Sequence, residues 1–194
     1  MADDESKRAV LETVLARTPA EGFCTAARDT LSAFPGGAAE IAAFWSALVD
    51  DALRQNLTAM ELPSLSIRTR IRNAVLARLA LLRPHKEAAR SAAAILVLPQ
   101  HLALGTQLAW ASADVIWRAA GDEASDFNHY TKRAMLAGIL SATTIAWFGD
   151  DSEDERHTAA FLDARIDNVM EFEKLKARVK ERFADATSSA GKTS

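Results

Sequence analysis

The sequence predicts an all-α protein, a bundle of about nine helices. Apolar residues recur at spacings of three and four in most segments, the period of an amphipathic helix. No segment shows a sustained alternation of apolar and polar residues, as half-buried strands would. Only 8 glycines and 5 prolines occur in 194 residues. Few helix breakers and short connections favour helices packed against helices.

Prolines, glycines and capping residues set the expected helix ends. Thr18-Pro19 is expected to end the first helix, because the residue before a proline disfavours the helical conformation. Gly121 supplies a left-handed helix end. Ser152 and Glu155 form a capping-box pattern. The expected helices cover about 4–17, 23–33, 38–60, 65–82, 84–98, 102–120, 125–148 and 154–184.

The expected helix ends divide the chain into segments, and we expect these segments to form one compact unit. Residues 1–63 are expected to form a helical head and residues 64–170 a helical body. An amphipathic helix would follow over 171–186. The small, polar residues 187–194 are expected to be disordered.

Composition bears on the cellular compartment. The single cysteine, Cys24, excludes an internal disulfide and fits a reducing cytoplasm. The acidic start MADDESKR does not read as a signal or transit peptide. Residues 91–113 carry no charge, but Pro99 and polar residues interrupt them. We therefore expect buried helices there rather than a membrane span.

The order of short helices before longer, more apolar ones is similar to the TetR-type regulator fold, with a small DNA-reading head. In that fold an aromatic-proline pair follows the recognition helix, and Phe34-Pro35 occupies this place. Only residues 22–33 precede it, enough for one helix. Residues 1–60 also carry a net charge of −4, which opposes docking on phosphates. We expect a reduced helix-turn-helix head and no nucleic-acid binding; a ligand-responsive regulator is the alternative.

No pattern of catalytic residues stands out. Asp154 and His157 form one i, i+3 pair without a second copy, whereas a di-iron bundle needs two. No phosphate loop, nucleophile elbow or CxxC occurs. We expect no catalysis, no cofactor and no metal. The four histidines are scattered: His85, His101, His129 and His157.

The stretch from Asp114 to Leu136, DVIWRAAGDEASDFNHYTKRAML, carries a specific resemblance. It resembles the pattern D-x-x-W-x-x-A-G-D-x-S-x-D-F-N-W-Y-T-[KR]-R-A-x-L of the lipid-binding accessory proteins of ubiquinone (coenzyme Q) biosynthesis. Weaker agreement extends it to about residues 65–170. We identify the chain as a bacterial member of that family. It departs from the pattern at His129, where relatives carry tryptophan, and its head is about one helix shorter.

The resemblance implies that an isoprenoid lipid or quinone intermediate binds between helices of the body. Large apolar side chains stand there among small ones, so cavities are plausible, although a tightly packed core would have the same composition. The residues expected to form this lipid-binding wall are Leu98, Trp110, Ala113, Ile116, Trp117, Phe127, Leu136, Ile139, Leu140 and Trp147.

The resemblance also implies a surface that docks the hydroxylase acting on demethoxyubiquinone. Polar and aromatic residues begin an otherwise apolar helix, and part of them is expected to face outward. An ordinary helix start with solvated charges is the alternative. The residues expected on this docking face are Asp114, Asp126, Asn128, His129, Tyr130 and Arg133.

The C-terminal helix is basic and amphipathic, which suits an anionic membrane surface. Packing on the body or on a second subunit is the alternative. The resemblance implies membrane contact. We also expect a homodimer formed by the last two or three helices and a location in the cytoplasm, at the inner membrane. The residues expected to touch the membrane are Phe172, Leu175, Lys176, Val179, Lys180 and Phe183.

Overall fold

The computed structural model describes residues 2–60, 64–121 and 127–169. These residues contain helices, short 3-10 turns and no strand, so the all-α prediction is confirmed. About nine helices were predicted; seven lie within the described residues, and an eighth reaches their end. The helices are α1 (Ala2–Glu21), α2 (Phe23–Ala26), α3 (Gly37–Ala59), α4 (Ile67–Leu82), α5 (Lys86–Leu96), α6 (Leu102–Ala119), α7 (Phe127–Phe148) and α8 (156–169).

The head contains less helix than the sequence predicted. Helix α1 continues through Pro19, so the expectation that Thr18-Pro19 ends it is wrong. The chain turns instead at Gly22, whose φ of 79° is the left-handed conformation that glycine adopts at low cost. The segment 23–33 forms only the four-residue α2 and a 3-10 turn over Arg28–Thr30. No helix long enough to read a DNA groove lies between α1 and α3.

Helix α3 contributes to two hydrophobic clusters. Its first half contributes Ile41 and Trp45 to a cluster that also contains residues of α1, α2, α4, α5 and α7. Its second half contributes Leu53 and Leu57 to a cluster that also contains residues of α4, α6, α7 and α8. A single long helix therefore ties the head to the body.

A buried polar network lies where α3, α4 and α6 meet. Arg78 Nε donates to Asp50 Oδ1 at 2.9 Å, and the Ser112 hydroxyl donates to Asp50 Oδ2 at 2.8 Å. Arg78 Nη2 also donates to Ser46 Oγ at 3.1 Å. Because a buried charge is costly without partners, this network favours one register of the three helices.

Helix α4 anchors α8. Ser66 caps α4 by accepting a hydrogen bond from the Thr69 amide at 3.2 Å. Arg68 Nε donates to Asp167 Oδ1 at 2.8 Å, and Arg72 Nε donates to Asp163 Oδ1 at 2.8 Å. These ion pairs flank the apolar contact that α8 makes through Leu162 and Ile166.

Helices α5 and α6 approach closely at Gly105. A Cβ on Gly105 would lie 2.7 Å from the carbonyl oxygen of Leu96, so only glycine fits without a shift. In the described part of the chain, no single helix is long and apolar enough to cross a membrane. One pair, Ile67–Leu96 with Pro99–Ala119, passes that test by length and composition but is bent by 92°.

The corner between α7 and α8 is built around Asp150. Its carboxylate accepts hydrogen bonds from the Ser152 hydroxyl at 2.5 Å and from the Thr158 amide at 2.7 Å. The Ser152 and Thr158 side chains hold the pKa of Asp150 well below its usual range. Glu155 has a φ of 55° and accepts from Trp147 Nε1 at 2.6 Å and from Arg83 Nη2 at 2.8 Å. The expected capping box of Ser152 and Glu155 is therefore replaced by a cap from Asp150.

Candidate functional site

The contact between α6 and α7 is organised by one carboxylate, Asp114. Arg133 Nε on α7 donates to Asp114 Oδ1 at 2.5 Å, and Arg118 Nε on α6 donates to Asp114 Oδ2 at 2.6 Å. Partial burial raises the pKa of Asp114, but the two arginines outweigh it and hold the pKa below its usual value. Asp114 therefore stays ionised and holds the two helices together.

Arg133 lies inside the protein, with 1% of its surface exposed. The prediction that it faces outward on the docking face is wrong. Its charge is stabilised by the Asp114 carboxylate, which a buried guanidinium requires. Arg118, to which the sequence assigned no role, is the exposed partner, with 68% of its side chain accessible.

Trp117 is a fixed part of the same helix contact. Its Nε1 donates to the carbonyl oxygen of Lys132 at 2.9 Å. The Lys132 ammonium lies 5.6 Å from the centre of the indole ring, within cation-π range. The ring is half-buried, so one edge of it stays accessible.

Tyr130 lies on the surface at the start of α7, with 62% of its area exposed. Its ring centre lies 6.0 Å from that of Trp110 on α6, with an angle of 34° between the planes. Trp110 is half-buried. The two rings form an exposed aromatic pair beside Asp114, so Trp110 adjoins the expected docking face as well as the expected lipid-binding wall.

The residues of the expected lipid-binding wall differ in how far they are exposed to solvent. Trp147 belongs to the cluster of α1, α2, α3 and α5, apart from the α6–α7 contact. Leu98 is 43% exposed at the end of α5. Trp110, Trp117 and Ile139 are half-buried. The fully buried members are Ala113, Ile116, Leu136, Leu140 and Trp147.

An open cleft lies on the other side of α6, against the end of α3. Its volume of about 380 Å³ is near the lower end of ligand pockets, which span about 300–1,000 Å³. The sequence did not predict it, because helical periodicity does not join residues 60 positions apart. The residues that line this α3–α6 cleft are Arg54, Leu57, Thr58, Met60, Val115, Arg118 and Ala119.

Several predicted residues lie outside the described part of the chain. Asp126 and the whole C-terminal segment with its membrane set, Phe172, Leu175, Lys176, Val179, Lys180 and Phe183, fall there. The side chains of Phe127, Asn128 and His129 fall there too. Their assignments stay predictions. In the residues that are described, no three His, Cys, Asp or Glu side chains converge as metal ligands would.

Solved structures support the fold. A TetR transcriptional regulator from Nitrosomonas europaea superimposes with a TM-score of 0.63, covering 84% of this chain and 96% of that one. At 16% identity this likeness shows the fold alone. The predicted TetR-like helical bundle is thus confirmed.

Sequence comparisons match part of this chain to one protein family. The family model described as COQ9 matches residues 102–173, which include α6, α7 and α8. The ubiquinone biosynthesis protein COQ9, mitochondrial, of Rattus norvegicus is 42% identical over 100 residues, and that of Homo sapiens is 39% identical over 100. Each match covers 52% of this chain and 32% or 31% of the relative, so it spans about a third of the relatives' length. Over these residues, the chain is similar to the COQ9 family.

Proposed function

We propose that this protein is a non-catalytic accessory protein of ubiquinone biosynthesis. The observation that carries the proposal is the match of residues 102–173 to the COQ9 family, since the relatives are named ubiquinone biosynthesis proteins. The matched residues contain the Asp114 network and the aromatic pair of Trp110 and Tyr130. In this proposal the domain binds an isoprenoid quinone intermediate and presents it to the hydroxylase that acts on demethoxyubiquinone.

Lipid binding is supported by the accessible apolar residues along α6 and α7. Trp110, Trp117 and Ile139 are half-buried, so a ligand can reach them without unfolding the core behind them. Burial of one five-carbon isoprene unit at about 0.8 kcal/mol per carbon contributes roughly 4 kcal/mol before ordering costs. Two or three units against this surface would shield the tail of a bound quinone from water.

The lipid proposal is tested by tryptophan fluorescence with a soluble ubiquinone analogue carrying two isoprene units. Bound quinone should quench the tryptophans that it contacts. We expect Trp110→Phe and Trp117→Phe to remove most of the quenching. Trp45→Phe is the matched control, because Trp45 lies in the other cluster. Quenching that is absent, or that disappears only in the Trp45 variant, would contradict lipid binding at α6 and α7.

Hydroxylase docking is supported by the exposed aromatic pair. Tyrosine, tryptophan and arginine dominate the energetics of protein interfaces, and Tyr130 and Trp110 lie together in such a pair. Arg133 takes a different role from the one predicted: it positions α7 from inside through Asp114.

Docking is tested by measuring the affinity for the hydroxylase. We expect Tyr130→Ala and Trp110→Ala each to weaken binding about 10- to 30-fold, as loss of a hot-spot aromatic does. Ile145→Ala is the control, because Ile145 is 67% exposed on the same helix but lies four turns away from Tyr130. Equal affinities for all three variants would remove the docking face from the proposal.

Membrane contact and dimerisation complete the proposal. The basic amphipathic segment 171–186 would hold the protein at the membrane surface. Flotation with anionic liposomes should separate the full chain from a chain that ends at Met170; equal flotation would leave the segment without that role. Light scattering should give the mass of a dimer, and a monomeric mass would contradict the homodimer.

A ligand-responsive transcription regulator is the second candidate, because a TetR regulator shares the fold. The head argues against it. Between α1 and α3 the chain has only the four-residue α2 and a 3-10 turn, whereas DNA readers place a longer helix in the major groove. Tight, sequence-dependent binding in a gel shift at low salt would favour the regulator.

A further inference from the structure

We infer that the α3–α6 cleft binds the acidic headgroup of an amphiphile, a carboxylate or a phosphate carried on an apolar tail. The cleft belongs to neither the lipid-binding wall nor the aromatic pair. An acidic amphiphile here and an isoprenoid against α6 and α7 are separate occupants, so either can bind without the other.

The floor of the cleft is apolar. Leu57 and Val115 are buried at 3% and 6% exposure, and Met60 and Ala119 are half-buried beside them. These residues come from α3 and α6 and from the residue that follows α3. A hydrocarbon tail laid on this floor would lose contact with water at little cost in polar desolvation.

The rim of the cleft is cationic. Arg54 on α3 and Arg118 on α6 both line it. Arg54 Nη1 bonds to Asp51, and Arg118 Nε bonds to Asp114 at 2.6 Å. In both cases the carboxylate lies on the arginine's own helix. The two arginines therefore reach the same cleft from different helices.

These ion pairs leave room for a ligand. A guanidinium has five N–H donors, and the pairing to Asp114 is made through Nε of Arg118. Arg54 bonds to Asp51 through Nη1, so each of the two guanidiniums keeps further N–H donors for a ligand. Carboxylate and phosphate oxygens match this fork of donors in geometry and charge.

The headgroup selectivity is tested with three probes that share one tail: decanoate, decyl phosphate and 1-decanol. Calorimetry on the full chain at low salt should show decanoate or decyl phosphate binding at least about tenfold more tightly than 1-decanol. Tighter decyl phosphate would identify a lipid phosphate as the natural source, and tighter decanoate a carboxylate. Equal affinity of all three probes would overturn the proposal.

Variants of the two arginines test whether the preference for acidic headgroups arises at the cleft. The double variant Arg54→Gln with Arg118→Gln should bind the acidic probes about as weakly as 1-decanol. Arg8→Gln removes a comparable exposed ion pair on α1, with Asp4, and should keep the preference. Both arginines are largely exposed, so thermal unfolding should show all variants folded. An acidic preference that survives in the double variant would contradict the site.

Discussion

At the scale of residues, Asp114 shows what charge in a sequence can and cannot predict. The pair of Asp114 and Arg118 follows from their i, i+4 spacing on one helix. The pair of Asp114 and Arg133 spans 19 residues and depends on how α6 packs on α7. The resemblance included Arg133 in the docking face, whereas the structure buries Arg133 and leaves Arg118 exposed.

Removal of the buried arginine should cost far more than removal of the exposed one. Arg133→Ala leaves a cavity and a half-buried carboxylate short of a donor, and we expect a loss of about 2–4 kcal/mol in the free energy of unfolding. Arg118→Ala should cost about 0–1 kcal/mol, the range of surface ion pairs. Urea unfolding of both variants measures the difference. Equal losses would mean that Arg133 is not the buried support of α7.

Gly121 was predicted to end its helix in the left-handed conformation, and its φ of 88° confirms this. The sequence did not indicate a second reason for glycine at this position. Arg70 Nη1 donates to the carbonyl oxygen of Ala120 at 2.8 Å, and a Cβ at position 121 would lie 3.1 Å from that nitrogen. The turn was predictable from glycine, while the arginine that packs against it was not.

At the scale of elements, helix existence was predicted better than helix ends. Periodicity placed α3, α4, α6 and α7 closely, because each buries a long apolar stripe. The expectation for Pro19 was wrong because α1 continues two residues past the proline, and the chain turns only at Gly22. The expected capping box was wrong because the Ser152 hydroxyl accepts from the His157 amide and not from the Glu155 amide, while Asp150 accepts from the Thr158 amide.

The Asp150 cap should make stability depend on pH. The folded pKa of Asp150 is lowered, so its contribution is complete above the usual aspartate pKa of about 3.9 and is lost as pH falls through the folded value. Asp150→Asn should lower stability at pH 7 and flatten the decline between pH 5 and pH 2. The exposed neighbour Asp151→Asn is the control. Unfolding profiles that coincide for wild type and Asp150→Asn would show that the cap does not act through its charge.

Two glycines on neighbouring helices should respond in opposite directions to alanine. Gly105→Ala forces its Cβ against the Leu96 carbonyl and should cost about 1–3 kcal/mol. Gly138 has open space at its Cβ within α7, so Gly138→Ala should stabilise the chain by about 0.5–1 kcal/mol. Thermal unfolding of the two variants tests whether α5 and α6 are held close together at Gly105. A neutral Gly105→Ala would show that the two helices can separate freely.

At the scale of the whole molecule, the all-α bundle and the reduced head followed from the sequence, because helical periodicity and local breakers are short-range signals. The two hydrophobic clusters and the α3–α6 cleft did not. They depend on which helices pack together, and residues such as Arg54 and Arg118 carry no mutual signal across 64 positions. The residues that match the COQ9 family model, 102–173, begin in the body and not in the head, so we propose the function for the body.

The central claim is that this protein supports the hydroxylation of demethoxyubiquinone without catalysing it. The most direct measurement is the quinone content of cells lacking its gene, restored with wild-type protein or with Tyr130→Ala. We predict that demethoxyubiquinone accumulates on deletion, falls with the wild-type protein and stays high with Tyr130→Ala. Unchanged ubiquinone and no demethoxyubiquinone in the deletion strain would contradict the account.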